Sequence, residues 1–157
     1  MSYTLSERTA SFVARQHGVV IDGEARPGSS GRAIPNFNPS TGEVITEIIG
    51  ADVHDVDAAA RAAQRAHDDG RWRNLPPAQK SRILLRFADL IEEHGHELAE
   101  LEMLEAGKLL EAARNGEVPF AAECYRYFAG WCTKLEGSTK RMSFAPPGEY
   151  HAYTLRQ

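Results

Sequence analysis

The sequence predicts an α/β chain: short strands over roughly the first fifty residues, three amphipathic helices, and a return to strand-forming residues at the end. Three observations carry this. β-Branched runs near the start are bounded by Asp-Gly and Pro-Ser-Thr-Gly turns, apolar residues recur every third or fourth position between 53 and 135, and residues 150–155 are again rich in strand formers.

The opening through about Gln16 is polar and helix-tolerant, and Val19, Val20 and Ile21 then lead into Asp22-Gly23, a two-residue hairpin signal. Gly28-Ser29-Ser30-Gly31 reads as a loop, Ala33–Phe37 as an extended piece, and Asn38-Pro39-Ser40-Thr41-Gly42 as a turn into a strand over 43–49. At Asp52 the period changes. Asp52 caps, Asp55 stands three residues on, and Val53, Val56, Ala60 and Ala63 mark a first helix that Gly70 stops.

Pro76-Pro77 starts a second helix, with Ile83, Leu84, Phe87, Leu90 and Ile91 on one stripe. Gly95 kinks or breaks it, and the stripe resumes through Leu98, Leu101 and Leu104 to a left-handed stop at Gly107. A third helix is expected over 119–135, burying a wide aromatic face of Phe120, Cys124, Phe128, Trp131 and Leu135. Pro146-Pro147-Gly148 is a turn before the last strand. No repeat or linker divides the chain.

With 157 residues, 42% hydrophobic and 25% charged, the chain has the composition of one globular domain. A net charge of −4 without a long single-sign run implies neither a nucleic-acid nor an anionic-membrane partner. No apolar stretch reaches signal-peptide or membrane-spanning length, and Cys124 and Cys132 share one helix where they cannot bridge each other. A reducing, cytoplasmic location is the expectation.

Catalytic signatures are missing. Neither phosphate-binding glycine motif nor a G-x-S-x-G elbow occurs. Cys124 on an apolar stripe reads as structural, because burial suppresses the thiolate. His94 and His96 supply an H-x-H pair without further ligands in register, and Asp52, Asp55 and Asp57 are wrongly spaced for a calcium loop. Glu100, Glu102, Glu105 and Lys108 read as the wet face of a helix.

Six linked stretches point one way: Ile21-Asp22-Gly23, Asn38-Pro39-Ser40-Thr41-Gly42-Glu43, Arg71-Trp72-Arg73, Leu85-Arg86-Phe87-Ala88-Asp89-Leu90-Ile91-Glu92, Leu101-Glu102-Met103-Leu104-Glu105-Ala106-Gly107-Lys108 and Arg126-Tyr127-Phe128-Ala129-Gly130-Trp131. In this order and spacing the chain resembles the N-terminal portion of the NAD(P)-dependent aldehyde dehydrogenases, from about Val19 onward. Around residues 15–18 and 117–139 the wording is nearest the phenylacetaldehyde dehydrogenase subgroup.

The resemblance implies an arm over 1–18, the N-terminal part of a cofactor-binding domain over 19–140, and the start of oligomerisation strands over 141–157. The rest of the Rossmann-type sheet, the catalytic domain, the nucleophilic cysteine, the glutamate base and the oxyanion asparagine lie downstream in the family. It therefore implies that a complete enzyme oxidises an aldehyde, phenylacetaldehyde or another aryl or apolar one, to the acid with NAD or NADP. This chain alone is expected to bind neither cofactor and to be inactive, with no catalytic residue of its own.

What carries over is peripheral. Asn36, Phe37 and Glu105 match positions that hold a monovalent cation, with Glu105 where Asp is common. Gly116, Glu117 and Phe120 match the lining of the aldehyde tunnel, while the helical spacing of Phe120 equally suits a core position. The strand over 148–157, with Tyr150, Tyr153 and Leu155, implies a homo-oligomer or association with full-length subunits. A non-catalytic interaction module that binds such subunits is the alternative reading.

Overall fold

The computed structural model describes residues 3–141 and 150–154. Among them, Ser6 accepts a hydrogen bond from the Thr9 amide and caps helix α1 (Glu7–Val13). Strands β1 (Val19–Ile21) and β2 (Glu24–Arg26) form a tight antiparallel hairpin in which Ile21 faces Glu24. Its two turn residues, Asp22 (φ 55°) and Gly23 (φ 83°), both take positive φ, as the mirror-image turn requires. A second antiparallel pair joins β3 (Ala33–Phe37) to β4 (Val44–Ile49), with a register shift at Asn36/Phe37.

Helix α2 (Val53–Asp68) opens on a complete capping box between Asp52 and Asp55. Its packed face is one position away from the expected stripe. Asp55 and Ala62 are buried, whereas Val53 is 72% exposed and Val56 lies open beside it. The reason is local. Asp55 accepts from both the backbone N–H and the hydroxyl of Ser29, so the loop over 28–31 is drawn onto the polar first turn, and small Ala62 lies against the hairpin.

The second predicted helix is two, α3 (Pro77–Glu93) and α4 (Gly95–Ala106), broken at His94, whose φ of −101° and ψ of 17° leave the helical region. Helix α4 ends on Gly107 in the left-handed region at φ 66°. A Cβ there would stand 3.0 Å from Pro39 Cγ and 3.1 Å from Ser40 Oγ. Gly107→Ala is therefore expected to cost about 1–2 kcal/mol, combining left-handed strain with crowding of the β3–β4 turn, and urea unfolding measures it.

The third predicted helix starts earlier than Pro119. Right-handed helix runs from α5 (Leu110–Ala112) through a π turn (Ala113–Glu117) into α6 (Val118–Trp131), and it ends before Leu135. Pro119 is the second residue past the wider turn. There its missing N–H coincides with the shift in carbonyl register, so the proline is carried inside a helix that it would otherwise terminate.

Helices α3 and α6 pack face to face through Ala88, Ala122 and Ala129, with the Phe87 and Tyr125 rings 4.6 Å apart beside the seam. Arg126 ties the pair, reaching Glu92 at 2.6 Å and Asp89 at 3.3 Å on α3 and Glu123 at 2.9 Å on its own helix. Among the described residues every fully buried apolar side chain is an alanine. The aromatic face that the helical spacing marks as buried is open within this chain, as expected of a stripe that needs a further layer: Phe120 is 70% and Phe128 61% exposed, Trp131 and Leu135 are exposed with them, and Cys124 is half-buried. The face exists, but nothing among the described residues covers it.

The chain closes with β5 (Thr139–Arg141) antiparallel to β6 (His151–Tyr153). β5 is not among the strands that the sequence predicts, and it pairs one edge of β6. Its other edge faces no strand among the described residues, and Tyr150 and Tyr153 are exposed. The expected Pro-Pro-Gly turn and Leu155 lie outside the described residues.

Candidate functional site

The β3–β4 register shift and the last turn of α4 bring two of the predicted positions together. Asn36 Nδ2 donates to Glu105 Oε1 at 2.8 Å, and Phe37 follows at the bulge. No lysine or arginine pairs with Glu105 among the described residues. Its carboxylate is an oxygen donor beside bulged backbone, which is suitable chemistry for a hard cation. A cavity of about 210 Å³ adjoins the pair, walled by Phe12, Ile48, Leu101 and Leu104.

The other predicted group lies on the π turn. Gly116 and Glu117 belong to it, and Phe120 stands outward one helical turn beyond Gly116. Lys108 bridges Glu102 at 2.7 Å and Glu117 at 3.0 Å, joining the end of α4 to this turn. Those two hydrogen bonds, Glu102 first, hold the ammonium above its ordinary pKa. In this chain Phe120 is not a core residue.

A third cluster was not legible in the sequence and corrects it. Glu100, expected on the wet face, is fully buried. Oε1 accepts from Tyr3 Oη at 2.7 Å and from the Ser6 amide at 2.9 Å, and Oε2 accepts from Ser6 Oγ at 2.6 Å and from the hydroxyl of buried Thr9. His96 Nε2 lies 3.4 Å from Oε1. Burial alone would raise the Glu100 pKa, but the hydrogen bonds from Ser6, Thr9 and Tyr3 outweigh it and bring it to about 2. Beside it, His94 Nδ1 meets Glu97 at 2.6 Å and Arg8 meets the same carboxylate at 2.9 Å. The His94 hydrogen bond and then that of Arg8 hold Glu97 below the usual carboxylate range.

The two histidines thus face separate carboxylates. Among the described residues no group of three or more His, Cys, Asp or Glu side chains is placed to hold a metal ion. No described helix is long and apolar enough to cross a membrane. The only advance signal of the Glu100 cluster is Ser6 three residues before Thr9, the spacing of a helix cap. A partner more than ninety positions away leaves no local trace.

Comparison with known proteins follows the same chain regions. The model for the aldehyde dehydrogenase family matches residues 26–157. A phenylacetaldehyde dehydrogenase of Pseudomonas fluorescens is 44% identical over 141 residues, 90% of this chain and 28% of that protein. A mitochondrial benzaldehyde dehydrogenase of Antirrhinum majus is 36% identical over 139 residues, covering 88% of this chain and 25% of its own length. Among solved structures, the NAD+ complex of an aldehyde dehydrogenase from Bacillus cereus aligns with a TM-score of 0.85 at 34% identity, over 91% of this chain and 29% of that one. The chain spans less than a third of the length of these relatives.

Proposed function

The chain belongs to the aldehyde dehydrogenase family, and from that premise we propose that it supplies the N-terminal part of an enzyme oxidising an aryl or apolar aldehyde to its acid with NAD or NADP. The observation that supports this most directly is the alignment over 91% of the chain with an NAD+-bound family structure. When bound, the dinucleotide accepts the hydride. This chain's part is to shape the route by which the aldehyde arrives.

In this reading residues 1–18 are an arm, 19–140 belong to the cofactor-binding domain and 141–157 begin the oligomerisation strands. Gly116, Glu117 and Phe120 line the aldehyde entrance, with Lys108 holding Glu117 and the outward phenyl ring offering an apolar wall to an aromatic substrate. That two of the relatives are a phenylacetaldehyde dehydrogenase and a benzaldehyde dehydrogenase favours an aryl aldehyde. Asn36, Phe37 and Glu105 hold a monovalent cation through the free side of the carboxylate and the bulge carbonyls. The 157-residue chain by itself makes no NADH, and it works in a reducing cytoplasm.

A chimera tests the reading: these 157 residues replace the matched segment of the Pseudomonas fluorescens enzyme, and NADH formation is followed with phenylacetaldehyde and with propanal. Turnover of both is expected, and Phe120→Ser should raise KM for phenylacetaldehyde roughly tenfold, the loss of one aromatic contact of about 1.4 kcal/mol, with propanal little changed. A folded chimera that binds NAD+ yet oxidises no aldehyde would overturn the proposal. Equal KM changes for both aldehydes would remove Phe120 from the entrance.

The open edge of β6, with Tyr150 and Tyr153 exposed, favours a second reading in which the chain docks on full-length dehydrogenase subunits without catalysis. Co-purification with such a subunit under native conditions supports it; failure to associate counts against it.

A further inference from the structure

We propose that the buried carboxylate of Glu100 on α4 is a socket for the segment 3–13, and that the segment can be supplied by a second copy of this chain. The polar recognition is concentrated on one group: three side chains at positions 3, 6 and 9, together with the Ser6 amide, donate to the two oxygens of a single fully buried glutamate. His96 is the other group facing it. This set of donors belongs to a short peptide. Tyr3, Ser6 and Thr9 lie outside the residues 26–157 that the family model matches.

The pivot is short. Between α1 and the contact of His17 with β4 stand only residues 14–16, which span about 10 Å when extended. Short hinges of this kind favour exchange of an identical element between copies, because the contacts formed in trans are those lost in cis. The docked arm competes as an intramolecular ligand at an effective concentration on the order of millimolar. Weakening the arm's own donors should therefore make the socket bind an added arm more tightly, the reverse of what general destabilisation produces.

The test uses the full 157-residue chain and a fluorescein-labelled peptide of residues 1–15. The chain with S6A and T9A is expected to bind the peptide at least tenfold more tightly than the wild-type chain, and the E100Q chain and a peptide carrying both alanines are expected not to bind. Equal affinity for all three chains, or for both peptides, would overturn the socket. Excess wild-type peptide should also accelerate amide hydrogen exchange over residues 7–13 of the wild-type chain, a readout independent of the double variant's stability. For exchange between copies, N-terminally donor-labelled chains are mixed with acceptor-labelled ones. Energy transfer that rises with concentration and falls when both chains carry E100Q supports it. Transfer that E100Q in both chains leaves unchanged reports association through another surface, such as the exposed aromatic face of α6, and overturns arm exchange.

Discussion

Glu100→Gln is expected to lower the unfolding free energy at neutral pH by up to about 3 kcal/mol, the equivalent of a carboxyl held at about 2 in the folded chain against its ordinary 4.5. The amide keeps the volume but loses the charge, and its NH2 group turns a donor toward hydroxyls that were themselves donating. The sign with pH follows from the direction of the shift. A carboxylate whose folded pKa is depressed contributes its full stability above the unfolded value and loses it as pH falls from about 4.5 through about 2. Urea midpoints at pH 7, 4 and 3 should therefore converge for wild type and E100Q as acid is added. Other carboxylates, among them Asp52, Asp55 and Glu97, are also held low, so wild type weakens in acid for several reasons. The difference between the two chains isolates Glu100, and a difference that does not shrink with falling pH would refute the assignment.

Local chemistry was legible in the sequence; the choice of helix face was not. Asp22-Gly23, the Asp52–Asp55 capping box, the break at His94 beside Gly95 and the stop at Gly107 each act within a few residues, and all stand within one position of where the spacing puts them. The helix faces depend on partners, and here the spacing misleads. Apolar periodicity selects Val53 and Val56 on α2 and Phe120 and Phe128 on α6, side chains that require a neighbouring layer, whereas contacts within this chain are made by Ala62, Ala122 and Ala129. Small residues carry a weak hydrophobic signal but allow the closest backbone approach, so they lie at the seams. The candidate site divides in the same way. Residue matching placed Asn36 with Glu105 and grouped Gly116, Glu117 and Phe120, while the burial of Glu100 rests on hydroxyls over ninety positions away.

The two faces of α6 should therefore respond to substitution in opposite fashion. Ala122→Leu or Ala129→Leu is expected to cost roughly 3 kcal/mol, the upper end for overpacking, since both alanines are buried in the α3–α6 seam and a longer side chain must push the helices apart. That movement would also pull Arg126 from Glu92 and Asp89, which it holds across the seam. Phe128→Ser, on the face that periodicity marks as core, should change stability by no more than about 0.5 kcal/mol, because the ring is mostly in water already. Its effect should appear elsewhere. Each aromatic ring on this face offers on the order of 150–250 Å² to a covering layer, or several kcal/mol at about 25 cal/mol/Å². The wild-type chain should accordingly bind a hydrophobic dye and self-associate with concentration, and Phe120→Ser with Phe128→Ser should reduce both while leaving the urea midpoint in place. Loss of stability in the serine variants, with tolerance of leucine at 122 and 129, would mean that the aromatic face and not the alanine seam holds α6 to the chain.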